Sequence, residues 1–173
     1  MKTYRRSGEI MIRNKIVVAF WAAVAVNLAL SFVPFGDLVL FPFALLSTWA
    51  HELGHGVTAM IVGGEFRRME IYQNLGGVAF STRPDNNWAP VLISAGGLLG
   101  PAIAGGIIIV LGSSARVGGW ILEILGLLLI VSAVIWIRNP FGLLSITSLG
   151  AALFLTGYFG SNLVELCVVQ FIG

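Results

Sequence analysis

Apolar residues form long runs along this chain, separated by short polar or basic segments. A transmembrane helix needs about 20 residues to cross a hydrocarbon core of roughly 30 Å. Five runs have about that length: Ile16–Val33, Leu38–Val62, Trp88–Leu111, Trp120–Ile137 and Phe141–Phe159. A sixth run begins at Leu163 and stops at Gly173, which favours a C terminus truncated within a span. The pattern predicts an all-α polytopic membrane protein with five to six transmembrane helices.

The segment between the second and third runs, residues 64–87, has a different pattern. It contains two short runs of β-favouring residues, Arg68–Tyr72 and Val78–Thr82, separated by Asn74-Leu75-Gly76-Gly77. Two such runs around a glycine-containing turn are typical of a β-hairpin. At membrane depth a hairpin is tolerated only against protein or water. We therefore expect a short hairpin at or just inside the cytoplasmic face.

Composition and charge agree with a membrane protein. The chain is 57% hydrophobic and 10% charged, whereas a soluble domain carries roughly 25% charged residues. The net charge of +2 comes from basic residues beside apolar runs, where they set topology and contact anionic lipid. We therefore expect the lipid bilayer, and no nucleic acid, among the partners. The single Cys167 excludes an internal disulfide and a cysteine metal cluster.

The basic residues also orient the predicted spans. Five Lys/Arg residues precede the first span, Arg67, Arg68 and Arg83 follow the second, Arg138 follows the fourth, and only Arg116 falls on the other side. The positive-inside rule then places the N terminus, with its basic tail of residues 1–15, in the cytoplasm. No small-x-small cleavage site follows the first run, so we interpret it as a retained span. Residues 1–173 form a single integral membrane domain in this interpretation.

The second run contains the sequence "HELGH" at residues 51–55. Ionisable side chains are costly in an apolar helix and usually functional there. Residues four apart lie on one helix face, about 6 Å apart, so His51 and His55 can bind one metal ion while Glu52 acts on a water. These are the only two histidines in the chain, which argues against a coincidental spacing. Zinc suits such imidazole ligands, although other transition metals bind them too.

The depth of the motif and the next span add to this hypothesis. His51 and His55 precede Val62 by eleven and seven residues, which places them roughly 10–17 Å below the cytoplasmic surface. A site at this depth would act inside the membrane. The third span contains Gly96 and Gly100 at a spacing that favours close helix packing. This is either ordinary packing or, as a functional hypothesis, the contact with the helix that carries the histidines.

The chain resembles the site-2 protease family of intramembrane zinc metalloproteases, and more narrowly its small bacterial members. The similarity rests on "HELGH", the following "GGEF" with the Gly-Gly hairpin, and "SAGGLLGPAIAG", and it covers about residues 38–111. It implies a zinc metalloendopeptidase of the bacterial cell membrane that cleaves transmembrane protein substrates. The implied roles are zinc ligands for His51 and His55, catalytic general base for Glu52, and substrate-strand binding for the hairpin residues Val78, Ala79 and Phe80.

The chain departs from the family at the third zinc ligand. The family supplies an aspartate from a later span, after an Asn-Pro segment. Here Asn139 and Pro140 are present, but no aspartate follows Asp85. Glu123 and Glu165 fall near the outer ends of their spans, at the wrong depth. Either the ligand lies beyond Gly173 or the enzyme is degenerate.

Two other functions compete with the protease hypothesis. The first is a proteolytically inactive membrane protein that binds partners or substrates through the same fold, as the missing carboxylate suggests. The second is a transporter. Transporters are typically built from inverted repeats with paired broken helices, and the sequence shows neither feature.

Overall fold

The computed structural model describes residues 17–18, 20–85, 87–112 and 117–173. Within these residues, six helices and one two-stranded sheet follow each other in the predicted order. They are α1 (Phe20–Leu30), α2 (Gly36–Ile61), β1 (Phe66–Ile71), β2 (Gly77–Ser81), α3 (Ala89–Gly112), α4 (Gly118–Trp136), α5 (Pro140–Phe159) and α6 (Asn162–Ile172). The predicted basic tail, the start of the first apolar run and Arg116 lie outside the described residues.

Three of the described helices, α3, α4 and α5, are long and apolar enough to cross a membrane. Their ends agree with the predicted third, fourth and fifth runs to within two residues. α2 is longer, with 26 residues, but Asp37, Glu52 and two histidines lower its mean hydropathy. α1 and α6 are shorter apolar helices. The described residues therefore contain three candidate spans, and the predicted total of five to six is not established.

α2 packs along α3 through glycine residues on both helices. A Cβ atom on Gly54 would overlap with the backbone of Gly96, and one on Gly100 would lie 3.0 Å from the carbonyl oxygen of Ala50. Small residues let helix backbones approach closely where lipid gives no hydrophobic drive for packing. The glycine face of α3 therefore packs on the helix that carries the histidines, which was one of the two alternatives left open by the sequence.

A buried polar contact joins α2 to α4, which itself packs along α5 where Gly126 faces Gly150. The indole N–H of Trp49 donates to the hydroxyl of Ser132 at 2.9 Å, and this hydroxyl donates to the carbonyl of Leu129. A buried donor left without a partner costs about 1–3 kcal/mol. The contact therefore opposes rotation of α2 about its axis, two residues before His51.

The predicted hairpin is confirmed as an antiparallel pair of strands. Ile71 lies opposite Gly77, and Met69 lies opposite Ala79. The side chains of Met69 and Ile71 are fully buried, so one face of the hairpin belongs to the core of the protein. Non-helical backbone at membrane depth needs this kind of protein cover.

The hairpin lies along α2 and extends further than the sequence predicts. Near its start, the ring of Phe66 packs against Gly56. At its tip, the hydroxyl of Thr48 donates to the carbonyl of Leu75 at 2.8 Å. Because Thr48 precedes Glu52 by one helical turn, the tip passes the HELGH motif. The hairpin therefore begins at the C-terminal end of α2 and runs back along the helix as far as Thr48.

Candidate metal centre

His51 and His55 lie one turn apart on α2, and their imidazole rings meet. The two Nε2 atoms are 3.0 Å apart, and the ring planes are nearly perpendicular, at 88°. Two nitrogens bound to one tetrahedral zinc ion at about 2.0–2.1 Å would lie roughly 3.3 Å apart. The two nitrogen atoms therefore converge almost as a shared metal ion requires.

The neighbouring helix α3 orients the ring of His55. Its Nδ1 atom lies 2.8 Å from the carbonyl oxygen of Ile93. A carbonyl oxygen can only accept, so Nδ1 carries the proton and Nε2 keeps the lone pair that faces His51. Metal-binding histidines almost always donate their second N–H in this way. Gly97 makes room for the ring, because a Cβ atom there would overlap with it.

Glu52 is buried beside this pair, with 5% of its surface exposed. The hairpin covers it: a Cβ atom on Gly77 would lie 2.6 Å from the Cγ atom of Glu52. The backbone N–H of Ala79 donates to the carboxylate. Burying a carboxylate without partners is very costly, so this N–H helps to hold the group next to the histidines.

One edge of β2 pairs with β1, and the other edge pairs with no strand in the described residues. The turn closes with the N–H of Tyr72 donating to the carbonyl of Gly76, and opposite residues in an antiparallel pair alternate between hydrogen-bonded and non-hydrogen-bonded positions. Gly77 and Ala79 therefore fall in non-hydrogen-bonded positions. Their N–H and C=O groups point away from β1, toward the side of the hairpin where Glu52 lies. We call these groups the free edge of β2 because β1 does not bond to them, although the N–H of Ala79 among them donates to the Glu52 carboxylate.

This alternation separates the three predicted substrate-binding residues. Ala79 presents its backbone at the free edge. Val78 and Phe80 direct their backbone groups to β1 instead, and the Phe80 ring packs under the guanidinium of Arg68, at 4.2 Å. Gly77, which is not among the three predicted substrate-binding residues, also belongs to the free edge. The Gly76-Gly77 pair was the one local feature of the sequence that indicated this edge.

The side chains at this site supply only part of the ligand set that a metal ion needs. Two imidazole nitrogens converge beside a carboxylate, but within the described ranges no three His, Cys, Asp or Glu side chains are grouped to hold an ion. Glu165 lies against Gly119 at the start of α4, and Glu123 lies against Gly157 in the last turn of α5. Both glutamates therefore lie at the end of the helix bundle where α4 begins and α5 ends. The histidines fit two zinc ligands, with Glu52 beside them.

A half-buried pair of histidines lies beside a buried glutamate in a membrane protein, an arrangement that a metallopeptidase type of site would need. The family model described as Peptidase M50B-like matches residues 16–173. The chain belongs to this peptidase family, whose members are in general zinc metalloproteases. The resemblance to the site-2 protease family is thereby confirmed. No curated protein and no solved structure matches the chain significantly.

Proposed function

We propose that this protein is an intramembrane zinc metalloendopeptidase that cleaves transmembrane protein substrates within or near the bilayer. One observation carries the proposal: the Nε2 atoms of His51 and His55 converge to 3.0 Å beside the buried carboxylate of Glu52. Ionisable groups in an apolar helix are expensive and mark functional sites. Membership in a peptidase family supports hydrolysis of peptide bonds as that function.

The histidines and Glu52 have different roles in the proposed reaction, namely metal binding and proton transfer. His51 and His55 would hold the zinc ion, which when bound supplies a water of lowered pKa and polarises the substrate carbonyl. Glu52 takes a proton from the attacking water at its carboxylate and passes it to the leaving amine, as a general base and then a general acid. The N–H of Ala79 orients that carboxylate, and the surrounding hairpin limits access of bulk water to it.

The proposal also includes a topology in the bacterial cell membrane. α1, α2 and α6 would add to the three apolar spans, with the N terminus in the cytoplasm. Large exposed aromatic side chains support this arrangement, because such residues favour the membrane–water interface. Trp120 at the start of α4 and Tyr158 at the end of α5 are exposed, and both fall on the outer side in this topology. Trp88 before α3 falls on the cytoplasmic side.

The free edge of β2 is the proposed site for the substrate strand. A helical substrate hides its carbonyl groups, so the segment to be cut must unwind. An extended segment can then pair with a strand edge, where main-chain bonds give affinity with little regard to sequence. Gly77 and Ala79 present such an edge next to Glu52, which would bring the scissile bond to the general base.

Proline substitutions test this edge, and the two positions should behave differently. Ala79→Pro removes the free-edge N–H that donates to the Glu52 carboxylate, and its ring would also obstruct a strand paired at this edge. We therefore expect cleavage to fall by about tenfold or more while zinc content stays unchanged. Phe80→Pro removes an N–H that pairs with β1, so it should also lower the melting temperature of the protein. The measurements are substrate cleavage, zinc content and thermal unfolding on the same preparations. Normal cleavage in both variants would mean that the substrate is held elsewhere, and lost zinc in Ala79→Pro would mean that the edge supports the fold.

Elemental analysis tests the metal ligands directly. The purified wild-type protein should contain about one zinc ion per chain, since a single site with paired histidine ligands is proposed. The double variant His51→Ala/His55→Ala should contain almost none. Ser47→Ala is the control, because Ser47 is exposed on the same helix one turn earlier. Undiminished zinc in the double variant would contradict the proposed ligands.

The second candidate function is that of a proteolytically inactive membrane protein that binds partners or substrates through the same fold. The specific observation in its favour is the lack of a third grouped carboxylate or imidazole in the described part of the chain. Zinc analysis and cleavage separate the two candidates. A zinc-loaded protein that binds a transmembrane substrate without cutting it would favour the binding protein.

A further inference from the structure

The segment that joins α4 to α5 lies beside the outer edge of β1, on the opposite side of the hairpin from Glu52. Ile137 forms a parallel bridge with Met69, and the backbone N–H of Arg138 donates to the carbonyl of Met69 at 3.2 Å. The segment therefore begins a short third strand on the hairpin.

Asn139 continues this pairing with its side chain. Its Nδ2 atom donates to the carbonyl of Ile71 at 2.6 Å, and its Oδ1 atom accepts from the N–H of Ile71 at 3.1 Å. In a parallel ladder the next donor would be the backbone N–H of residue 140. That residue is Pro140, which has no N–H. The primary amide of Asn139 thus takes the place of a peptide group that the backbone cannot supply.

The pair of bonds lies directly across the hairpin from the proposed general base. Ile71 is the cross-strand partner of Gly77, and Gly77 packs against Glu52. Ile71 sits in a non-hydrogen-bonded position of the β1–β2 pair, so its N–H and C=O are free to bond outward. A continuous line of contacts therefore runs from Asn139 through Ile71 and Gly77 to Glu52.

The side chain of Asn139 bonds to the hairpin and not to its own helix. Asn139 is the N-cap residue of α5, a position where asparagine usually bonds to the first turn. Here it makes no side-chain capping bond. The usual stabilisation of a helix start is replaced by two bonds to β1, which points to a role in holding the hairpin.

We propose that Asn139 is a positioning residue that fixes the hairpin so that Gly77 and Ala79 stay against Glu52. This rests on the proposed function, in which Glu52 is the general base and the free edge of β2 binds the substrate. With the outer edge of β1 occupied by residues 137–139, the substrate would pair at the free edge of β2, beside the Ala79 N–H that holds Glu52.

The test compares Asn139→Asp and Asn139→Ala with the wild type and with Asn162→Asp, all in detergent micelles. The aspartate variant keeps the acceptor for Ile71 and loses the donor, whereas the alanine variant loses both without adding charge. Asn162 begins α6 and its side chain is exposed, so the control makes the same chemical change at another helix start. The readouts are amide-resolved hydrogen exchange, zinc content, and KM and kcat for a transmembrane substrate.

Asn139→Ala should speed exchange of both the Ile71 and the Ala79 amides by about tenfold, whereas Asn139→Asp, which keeps the acceptor for the Ile71 N–H, should speed exchange mainly at Ala79. Both variants should raise KM by a similar factor. Zinc content, and exchange in the middle of α4 and α5, should match the control. A merely structural defect would reduce the number of folded molecules, which lowers kcat and leaves KM unchanged. Unchanged exchange at Ala79, or faster exchange with an unchanged KM, would overturn the proposal.

The outcome for Asn139 is separable from the outcome for the proposed function. If the wild-type protein cleaves no transmembrane substrate, the proposed function fails. The exchange rate of the Ala79 amide then decides whether Asn139 holds the hairpin against Glu52, because that amide bonds to the Glu52 carboxylate.

Discussion

Replacing Glu52 with glutamine is expected to lower the cleavage rate by about 10²–10⁴-fold, the usual loss when a general base is removed. Glutamine has nearly the shape of glutamate, so it should still fill the buried space against Gly77. Its amide oxygen can still accept the N–H of Ala79. What the variant loses is the capacity to take a proton, and zinc content and thermal stability should therefore stay close to those of the wild type.

The control for this substitution is Glu123→Gln. It makes the same change on α4, and Glu123 packs against Gly157 in the last turn of α5, away from the histidines. The measurement is single-turnover cleavage of a transmembrane substrate, with zinc content determined on the same samples. Cleavage by Glu52→Gln at the wild-type rate would contradict the role of Glu52. Equal losses in both glutamine variants would point to a general effect on folding.

The helices could be predicted from the sequence because their signal is local. An apolar run of about 20 residues can only satisfy its backbone in lipid as a helix or a closed barrel. The hairpin was predictable for a similar reason, since Asn74, Gly76 and Gly77 supply turn chemistry between two β-favouring runs. The HELGH motif needed only helical spacing to bring His51 and His55 together.

The arrangement around the motif could not be predicted, because it depends on contacts between distant parts of the chain. The bond from Nδ1 of His55 to Ile93 joins α2 to α3, and the amide of Asn139 reaches β1 from the start of α5. Neither a histidine nor an asparagine in a sequence indicates which distant backbone group its side chain will bond to. The path of the hairpin past Glu52 depends on Thr48, which in the sequence is an unremarkable polar residue of an apolar helix.

The predicted total of five to six spans is not established, for a related physical reason. The residues that give α2 its chemistry, two histidines and Glu52, are the ones that lower its hydropathy. A helix that carries a polar centre inside a membrane is therefore the hardest to recognise by composition alone. In such a helix the evidence for burial in the protein, such as the 5% exposure of Glu52, is more informative than hydropathy.

Gly97→Ala is expected to abolish zinc binding, although the glycine is not itself a ligand. A Cβ atom on Gly97 would overlap with Cε1 and Nε2 of the His55 ring. The ring would have to rotate, which moves Nε2 away from His51 and breaks the bond to Ile93. Loss of a ligand-orienting bond alone typically costs about 10–100-fold in metal affinity, so displacing the ligand atom should cost at least that much. Zinc titration of the purified variant measures it.

Two other glycine substitutions make this prediction specific. Gly106→Ala is the matched control on the same helix, since a Cβ atom there has nothing within 4 Å, and zinc binding should stay normal. Gly77→Ala places a Cβ atom 2.6 Å from the Cγ atom of Glu52, so it should impair cleavage while zinc binding is retained. Loss of zinc in Gly97→Ala with retention in Gly77→Ala would separate the α3 side of the site, which shapes the metal ligands, from the hairpin side, which positions the general base. Normal zinc affinity in Gly97→Ala would mean that His55 binds no metal in this conformation.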